Sequence, residues 1–174
     1  MSKREKFLSA LAPAGGERIL DVGAGRGTVA AWVAAAAPGA EVFAVDPNES
    51  RVAAMRRDHP QLRCSVGRAE SLPFEDSFFD RAYATMALHH FSDLGGALLE
   101  LARVLKPGGS FVVVELDPRS AKAKIFRFFG RWTGEHLSLM TQQALAAKLG
   151  GSPGFRPATS VALGSDYLVQ VIRS

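Results

Sequence analysis

The stretch RILDVGAGRGTVAAWV, Arg18 to Val33, constrains this chain more than any other. It begins as a short apolar run of strand type, turns through glycines at positions 23, 25 and 27, and continues as an alanine-rich segment of helical type. Glycine at a strand-to-helix turn removes side chains where the backbone bends. A ligand can then approach the main chain and meet the N–H groups of a helix N-terminus. Such a bend falls at the carboxyl edge of a sheet, where open α/β sheets bind ligands.

The rest of the chain repeats this alternation. Short β-branched runs predict strands at Arg18 to Val22, Glu41 to Val45, Leu62 to Val66, Phe79 to Thr85 and Ser110 to Glu115. Helices are expected at about Lys3 to Leu11, at about Thr28 to Ala36, and after DPNES as far as Pro60. Another lies in FSDLGGALLELARVLKPGG, where Leu94, Leu98, Leu101 and Leu105 recur at helical spacing before a Pro-Gly-Gly break. This succession implies a mostly parallel sheet with helices on both faces. The end of the chain is different. A helix predicted at Leu137 to Leu149 leads to two β-rich runs, PATSVALG and YLVQVIRS, parted only by the turn at Gly164 to Asp166. A connection that short cannot make a parallel crossover, so the sheet is expected to end in an antiparallel hairpin.

With 174 residues, 47% of them hydrophobic, the chain reads as one domain over 1–174 with a core of its own. Cys64 is the only cysteine, which excludes a disulfide framework within the chain and favours a reducing, cytoplasmic setting. No Cys/His cluster of metal-ligand spacing is present, and no metal is expected. The opening MSKREKF lacks a signal-peptide core, and the longest apolar run, Val29 to Pro38, is short and mostly alanine, a packed helix rather than a membrane span. A formal charge of +4 is modest and gives no strong nucleic-acid signal.

Asp46 ends the second strand at a distance from the glycine bend that suits nucleoside binding, with a carboxylate accepting hydrogen bonds from both ribose hydroxyls. The bend itself is G-x-G-x-G. A dinucleotide reader calls for G-x-G-x-x-G, and position 28 here is Thr, which argues against a pyrophosphate site. A nucleotide-dependent oxidoreductase is therefore the weaker alternative.

ILDVGAGRG, VFAVDPNES, GRAESLPFEDSFFD and LARVLKPGGSFVVVELD, in that order and spacing, resemble the four signature stretches of class I S-adenosylmethionine-dependent methyltransferases. The resemblance covers about Arg18 to Asp117 and is to the small-molecule branch, including the quinone-biosynthesis-type methyltransferases. It implies a Rossmann-like three-layer αβα sandwich. Its seven-stranded, mostly parallel sheet would carry an antiparallel C-terminal hairpin, and S-adenosyl-L-methionine would be the cofactor. By the same resemblance Asp21, Gly23, Ala24, Gly25 and Gly27 match the loop facing the methionine part of the cofactor, and Asp46 matches the ribose-binding acid. Pro47, Ala69 and Glu70 match positions around the adenine, and Thr85, Met86 and Ala87 match the strand end beside the transferring methyl.

Methyl transfer from a sulfonium leaves the protein mainly with alignment, desolvation and any proton removal. His89 and His90, in MALHHFSD, are the candidates for a base, against a hydrogen-bonded packing role for both. The chain lacks the Asn/Asp-Pro-Pro-aromatic run of amino-methylating enzymes. Met86 and Ala87 cannot ligate the magnesium of a catechol-type site, and Cys64 sits on a strand as a structural thiol rather than a nucleophile. C- or O-methylation of an aromatic or lipophilic small molecule remains. A cofactor-binding regulatory module without turnover is the alternative from another class.

Arg119 to Trp132, RSAKAKIFRFFGRW, lies where such enzymes place a substrate-covering insertion, here expected within 119–136. As a helix it would gather Ala121, Ile125, Phe128 and Trp132 on one face, with Lys122, Lys124, Arg127 and Arg131 largely elsewhere. A lid, a lipid-contacting helix, an RNA-contacting surface and a plain packed helix are all compatible with that pattern. Only a short helix precedes the first strand, so the acceptor pocket is expected either to be open or to be closed by a second copy of the chain.

Overall fold

A computed structural model of the chain describes residues 1–125 and 138–174. Its centre is a seven-stranded sheet in the order β3-β2-β1-β4-β5-β7-β6. The strands are β1 (Arg18–Val22), β2 (Glu41–Asp46), β3 (Arg63–Val66), β4 (Phe79–Thr85), β5 (Leu105–Leu116), β6 (Thr159–Leu163) and β7 (Asp166–Ile172). Pairs among β1 to β5 are parallel, whereas β7 runs antiparallel to both β5 and β6. The fold class expected from the sequence is the one observed, hairpin included.

Among the described residues, helices α1 (Lys3–Leu11), α2 (Thr28–Ala36), α3 (Glu49–Asp58), α4 (Leu94–Val104) and α5 (Gln142–Gly150) cover the faces. Each start has a local cause where a side chain supplies it. At α1 the Ser2 hydroxyl accepts the Glu5 N–H and the Glu5 carboxylate accepts the Ser2 N–H, a reciprocal cap. Asn48 accepts the Arg51 N–H at α3, which carries Glu49 in its first turn and Arg56 and Arg57 in its last, as the helix dipole favours. α2 has no such cap; Gly27 precedes it with φ 79°.

The two sheet faces bury separate cores. Phe7 and Leu11 of α1, Ala30 and Val33 of α2, and Val52 and Met55 of α3 pack on one face against Ile19, Val42 and Tyr83. Leu98 and Leu101 of α4, with Leu145 and Leu149 of α5, pack on the other against Leu20, Phe111 and Val113. The helix after β1 and the helix after β4 therefore leave their adjacent strands toward opposite faces, which opens a crevice between the carboxyl ends of those strands. Arg103 staples the loop between β3 and β4: its guanidinium donates to Glu100, Asp76 and the carbonyls of Leu72 and Phe74.

Three expectations are corrected. The Pro-Gly-Gly segment does not break the chain before a strand at Ser110. β5 already begins at Leu105, with a register shift against β4, and Gly108 and Gly109 exchange main-chain bonds with Arg173. The helix expected from Leu137 starts at Gln142, because Thr141 caps it by accepting the Ala144 N–H and residues 138–141 lead in without helical structure. The third strand begins at Arg63 rather than Leu62. Within the expected insertion, residues 121–125 are helical with Ala123 buried and Ile125 exposed. The calls on Phe128, Trp132, Arg127 and Arg131 lie outside the described residues. No helix among the described residues is long and apolar enough to cross a membrane.

Candidate functional site

The three glycines of the bend serve different ends. A Cβ on Gly23 would lie 2.6 Å from the Ala87 Cβ, so this glycine lets the β1 exit close on the β4 exit. A Cβ on Gly27 would lie 2.7 Å from Met55 Cγ, so this one lets α3 pack beneath the bend. Gly25 alone faces open space, with φ 59° and no atom within 4 Å of the position a Cβ would take.

The bend amides are also less free than expected. Gly23 and Ala24 both donate to the Val45 carbonyl, at 2.8 and 3.0 Å. Gly25 donates to Asp46 Oδ2 at 2.9 Å, and Asn48 donates to Asp46 Oδ1 at 3.0 Å. Asp46 is 3% exposed and brings the β2 end and the bend together, each oxygen keeping further acceptor capacity. Pro47 beside it is exposed.

Beneath the bend lies a buried acid. Asp21, on the central strand next to Ala44 of β2 and Tyr83 of β4, is 1% exposed, and neither of its oxygens completes a hydrogen bond; nor does the Tyr83 hydroxyl. Burial pushes the Asp21 carboxyl up to about 7, the Tyr83 hydroxyl opposes that rise, and the Asp46 carboxylate adds to it. The phenol of Tyr83 is raised well above its ordinary value, by burial first and by Asp21 second.

The loop after β3 approaches Asp46 through the Gly67 N–H, which donates to the Asp46 carbonyl. Ala69 is buried. Glu70 is turned to the loop before α4: its Oε1 accepts the Ser92 N–H, the Ser92 hydroxyl and the Asp93 N–H at 2.8, 3.0 and 3.1 Å. Burial alone would raise the Glu70 pKa, but those donors outweigh it and hold the carboxyl below its usual range. Glu70 thus clasps two loops of the crevice rim.

At the β4 end, Thr85 is followed by Met86 at φ 53°, a left-handed conformation that costs a side-chain-bearing residue of order 1–3 kcal/mol and persists where surrounding structure enforces it. The Met86 N–H donates to the Val114 carbonyl. A single turn of 3₁₀ helix, Leu88–His90, follows. His89 is nearly buried and its Nδ1 lies 2.9 Å from Glu115 Oε2, while Glu115 Oε1 accepts the Leu88 N–H at 2.8 Å. His90 is exposed, its ring tilted against that of His89 with centroids 4.2 Å apart. His89 and Glu115 line a partly open cavity of about 50 Å³ with Leu88, Phe91, Met140 and Tyr167 among its walls.

Sequence reasoning missed Glu115 and Tyr167. The one available signal was a glutamate inside the valine run FVVVELD, a charge where a central strand should be apolar on both faces. Glu115 is 4% exposed, and its partners come from the turn after β4.

A model of the methyltransferase domain family matches residues 20–113, a little more than half of the chain. A demethylmenaquinone methyltransferase of Chlorobaculum tepidum is 39% identical over 108 residues, covering 62% of this chain and 44% of that protein. A ubiquinone/menaquinone biosynthesis C-methyltransferase of Rubrivivax gelatinosus is 36% identical over 115 residues, covering 66% and 45%. The chain thus spans less than half the length of these relatives. Among solved structures, a SAM-dependent methyltransferase of Thermotoga maritima, described as a possible histamine N-methyltransferase, superimposes with a TM-score of 0.82. It covers 98% of this chain and 87% of that one at 19% identity, a likeness of fold.

Proposed function

Because the chain belongs to the methyltransferase domain family, we propose that it binds S-adenosyl-L-methionine in the crevice between β1, β2 and β4 and methylates a small aromatic or lipophilic acceptor. The observation that carries this reading is Gly25, open to solvent and hydrogen-bonded to Asp46 at the edge where the sheet changes direction. These residues fit an adenosyl cofactor: Gly25 leaves space at the main chain, and Asp46 has lone pairs left for two vicinal hydroxyls. The uncapped start of α2 and the unpartnered carboxyl of Asp21 border the same bend.

In this reading Gly25, Asp46 and Pro47 hold the nucleoside and Ala69 borders the base. Asp21, Gly23, Ala24 and Gly27 build the part of the loop that faces the methionine moiety. Glu70 borders the base with Ala69 and, through Oε1, keeps the rim closed by accepting from Ser92 and Asp93. Thr85 and Met86 border the reacting end, where the Met86 backbone adopts a left-handed conformation. The cofactor supplies a methyl group on a sulfonium sulfur, already an excellent leaving group, so alignment and exclusion of water are the protein's main tasks. The apolar walls at Leu88, Phe91 and Met140, beside the bend, suit an aromatic acceptor.

Quinone-biosynthesis acceptors are the first class to try, since the relatives' names carry them. Calorimetry with S-adenosylhomocysteine should show one site per chain. Methyl-labelled S-adenosylmethionine, incubated with the protein and a fractionated metabolite extract, should label an aromatic fraction. Binding without transfer to any fraction would favour a regulatory module, and stabilisation by NAD but not by S-adenosylhomocysteine would revive the oxidoreductase reading.

A further inference from the structure

We infer that His89 is the proton acceptor for a hydroxyl-bearing acceptor and that Glu115 is its positioning residue, an inference that rests on the methyltransferase reading above. Glu115 accepts the Leu88 N–H on Oε1, which holds the carboxyl in place and leaves Oε2 to meet the imidazole. In the inferred arrangement Oε2, 2.9 Å from His89 Nδ1, accepts the Nδ1–H and so sets the tautomer of the imidazole. Nε2 is left as the basic nitrogen on a ring that walls the cavity. A buried carboxylate that orients an imidazole in this way also stabilises the imidazolium formed when Nε2 takes a proton.

The neighbouring groups leave His89 as the group for the task. Tyr167 of β7 lines the same cavity, but its hydroxyl donates to the Met140 carbonyl at 2.8 Å. Burial, with the carboxylates of Glu115 and Asp117, pushes its pKa up. His90 shares a ring contact with His89 but is exposed. Phe91 joins the cavity to the cofactor crevice: it lines the former and lies 4.0 Å from the position of a Cβ on Gly23.

The partly open cavity sets the His89 ring beside the apolar Leu88, Phe91 and Met140, a lining that suits the hydroxyl-bearing edge of an aromatic ring. The substrate class is accordingly a phenol or enol that enters by its O–H. That bond breaks with its electron pair left on the acceptor, and the proton goes to His89 Nε2. The acceptor anion then bonds the methyl while the sulfur keeps the pair of the broken S–CH3 bond. Imidazolium and Glu115 carboxylate remain as a neutral pair.

Nitrogen-15 NMR of the protein saturated with S-adenosylhomocysteine tests the arrangement without turnover. His89 should show the Nδ1–H tautomer with a strongly downfield proton, and Glu115→Gln should abolish that signature. With 1,4-naphthalenediol as acceptor, His89→Gln and Glu115→Gln should each lower kcat tenfold or more, with KM and S-adenosylhomocysteine affinity within twofold. A loss of turnover in His90→Gln equal to that in His89→Gln, with the His89 tautomer signal intact, would assign the base to His90 and overturn the inference. An Nε2–H tautomer in the unaltered protein, or full turnover by His89→Gln, overturns the inference. Absence of S-adenosylhomocysteine binding sinks the methyltransferase reading instead, and the tautomer measured without it still decides whether Glu115 orients His89.

Discussion

Alanine at each glycine of the bend separates packing from ligand approach. At Gly25 the new methyl meets no atom within 4 Å, so its structural cost is the left-handed backbone alone, about 1–2 kcal/mol. At Gly27 the same backbone cost is joined by contacts of 2.7 and 2.9 Å with Met55, and overpacking adds about 1–3 kcal/mol, softened because Met55 is flexible. For a domain of this size each kcal/mol moves Tm by roughly 2–4 °C. Gly25→Ala should therefore lower Tm by roughly 2–8 °C and Gly27→Ala by more. Affinity should follow the opposite order. The Gly25 methyl occupies space a bound cofactor needs, and an intruding methylene costs about 1–3 kcal/mol, a weakening of roughly 5- to 150-fold. The Gly27 methyl points under α3 and should leave the affinity of the folded protein within about threefold, by contrast. Differential scanning calorimetry and titration with S-adenosylhomocysteine measure the two quantities. Unchanged affinity in Gly25→Ala would refute the assignment of that open space to the cofactor.

Asp46→Ala removes charge-assisted bonds worth about 1.5–3 kcal/mol and should weaken S-adenosylhomocysteine binding about tenfold or more by calorimetry; equal affinity would remove Asp46 from the site. Asp21 holds its proton more tightly folded, at about 7, than at the ordinary 3.8, so its contribution to stability declines as pH rises between those values and is flat above. The Tm of Asp21→Asn relative to the unaltered protein should thus rise between pH 5 and pH 8 by roughly 5–10 °C, from about 2–3 kcal/mol, and a difference flat with pH would contradict the buried ionisation. Arg103→Ala should cost about 2–3 kcal/mol in urea unfolding, and Arg103→Lys should recover little because an ammonium cannot reproduce the forked contacts; a wild-type midpoint for the lysine variant would show that charge alone suffices.

What could be read from the sequence was what depends on neighbours in the chain. β1, α2 and β4 have the limits the hydrophobic pattern predicted, and the turn at Gly164 gave the antiparallel hairpin. What could not be read depends on distant partners. β5 extends through Lys106-Pro107-Gly108-Gly109 because Arg173, far along the chain, hydrogen-bonds to Gly108 and Gly109. Glu115 looked like the end of a strand, and only the approach of the turn after β4 makes it the partner of His89. Glu70 resembles a base-reading acid, and only the distant Ser92 and Asp93 reveal its further task of joining two loops through one oxygen. The glycine bend was visible at once, but which of its glycines faces outward required the positions of Ala87 and Met55.

Asp46 braces the bend through the Gly25 and Asn48 amides before any guest arrives. A crevice held in shape by its own recognition group need not be ordered by what enters it, so the guest's affinity is not diverted into folding a loop. The same economy ties two properties to one carboxylate. Any replacement that retunes selectivity at this position also reshapes the wall, and evolution or engineering must move both together.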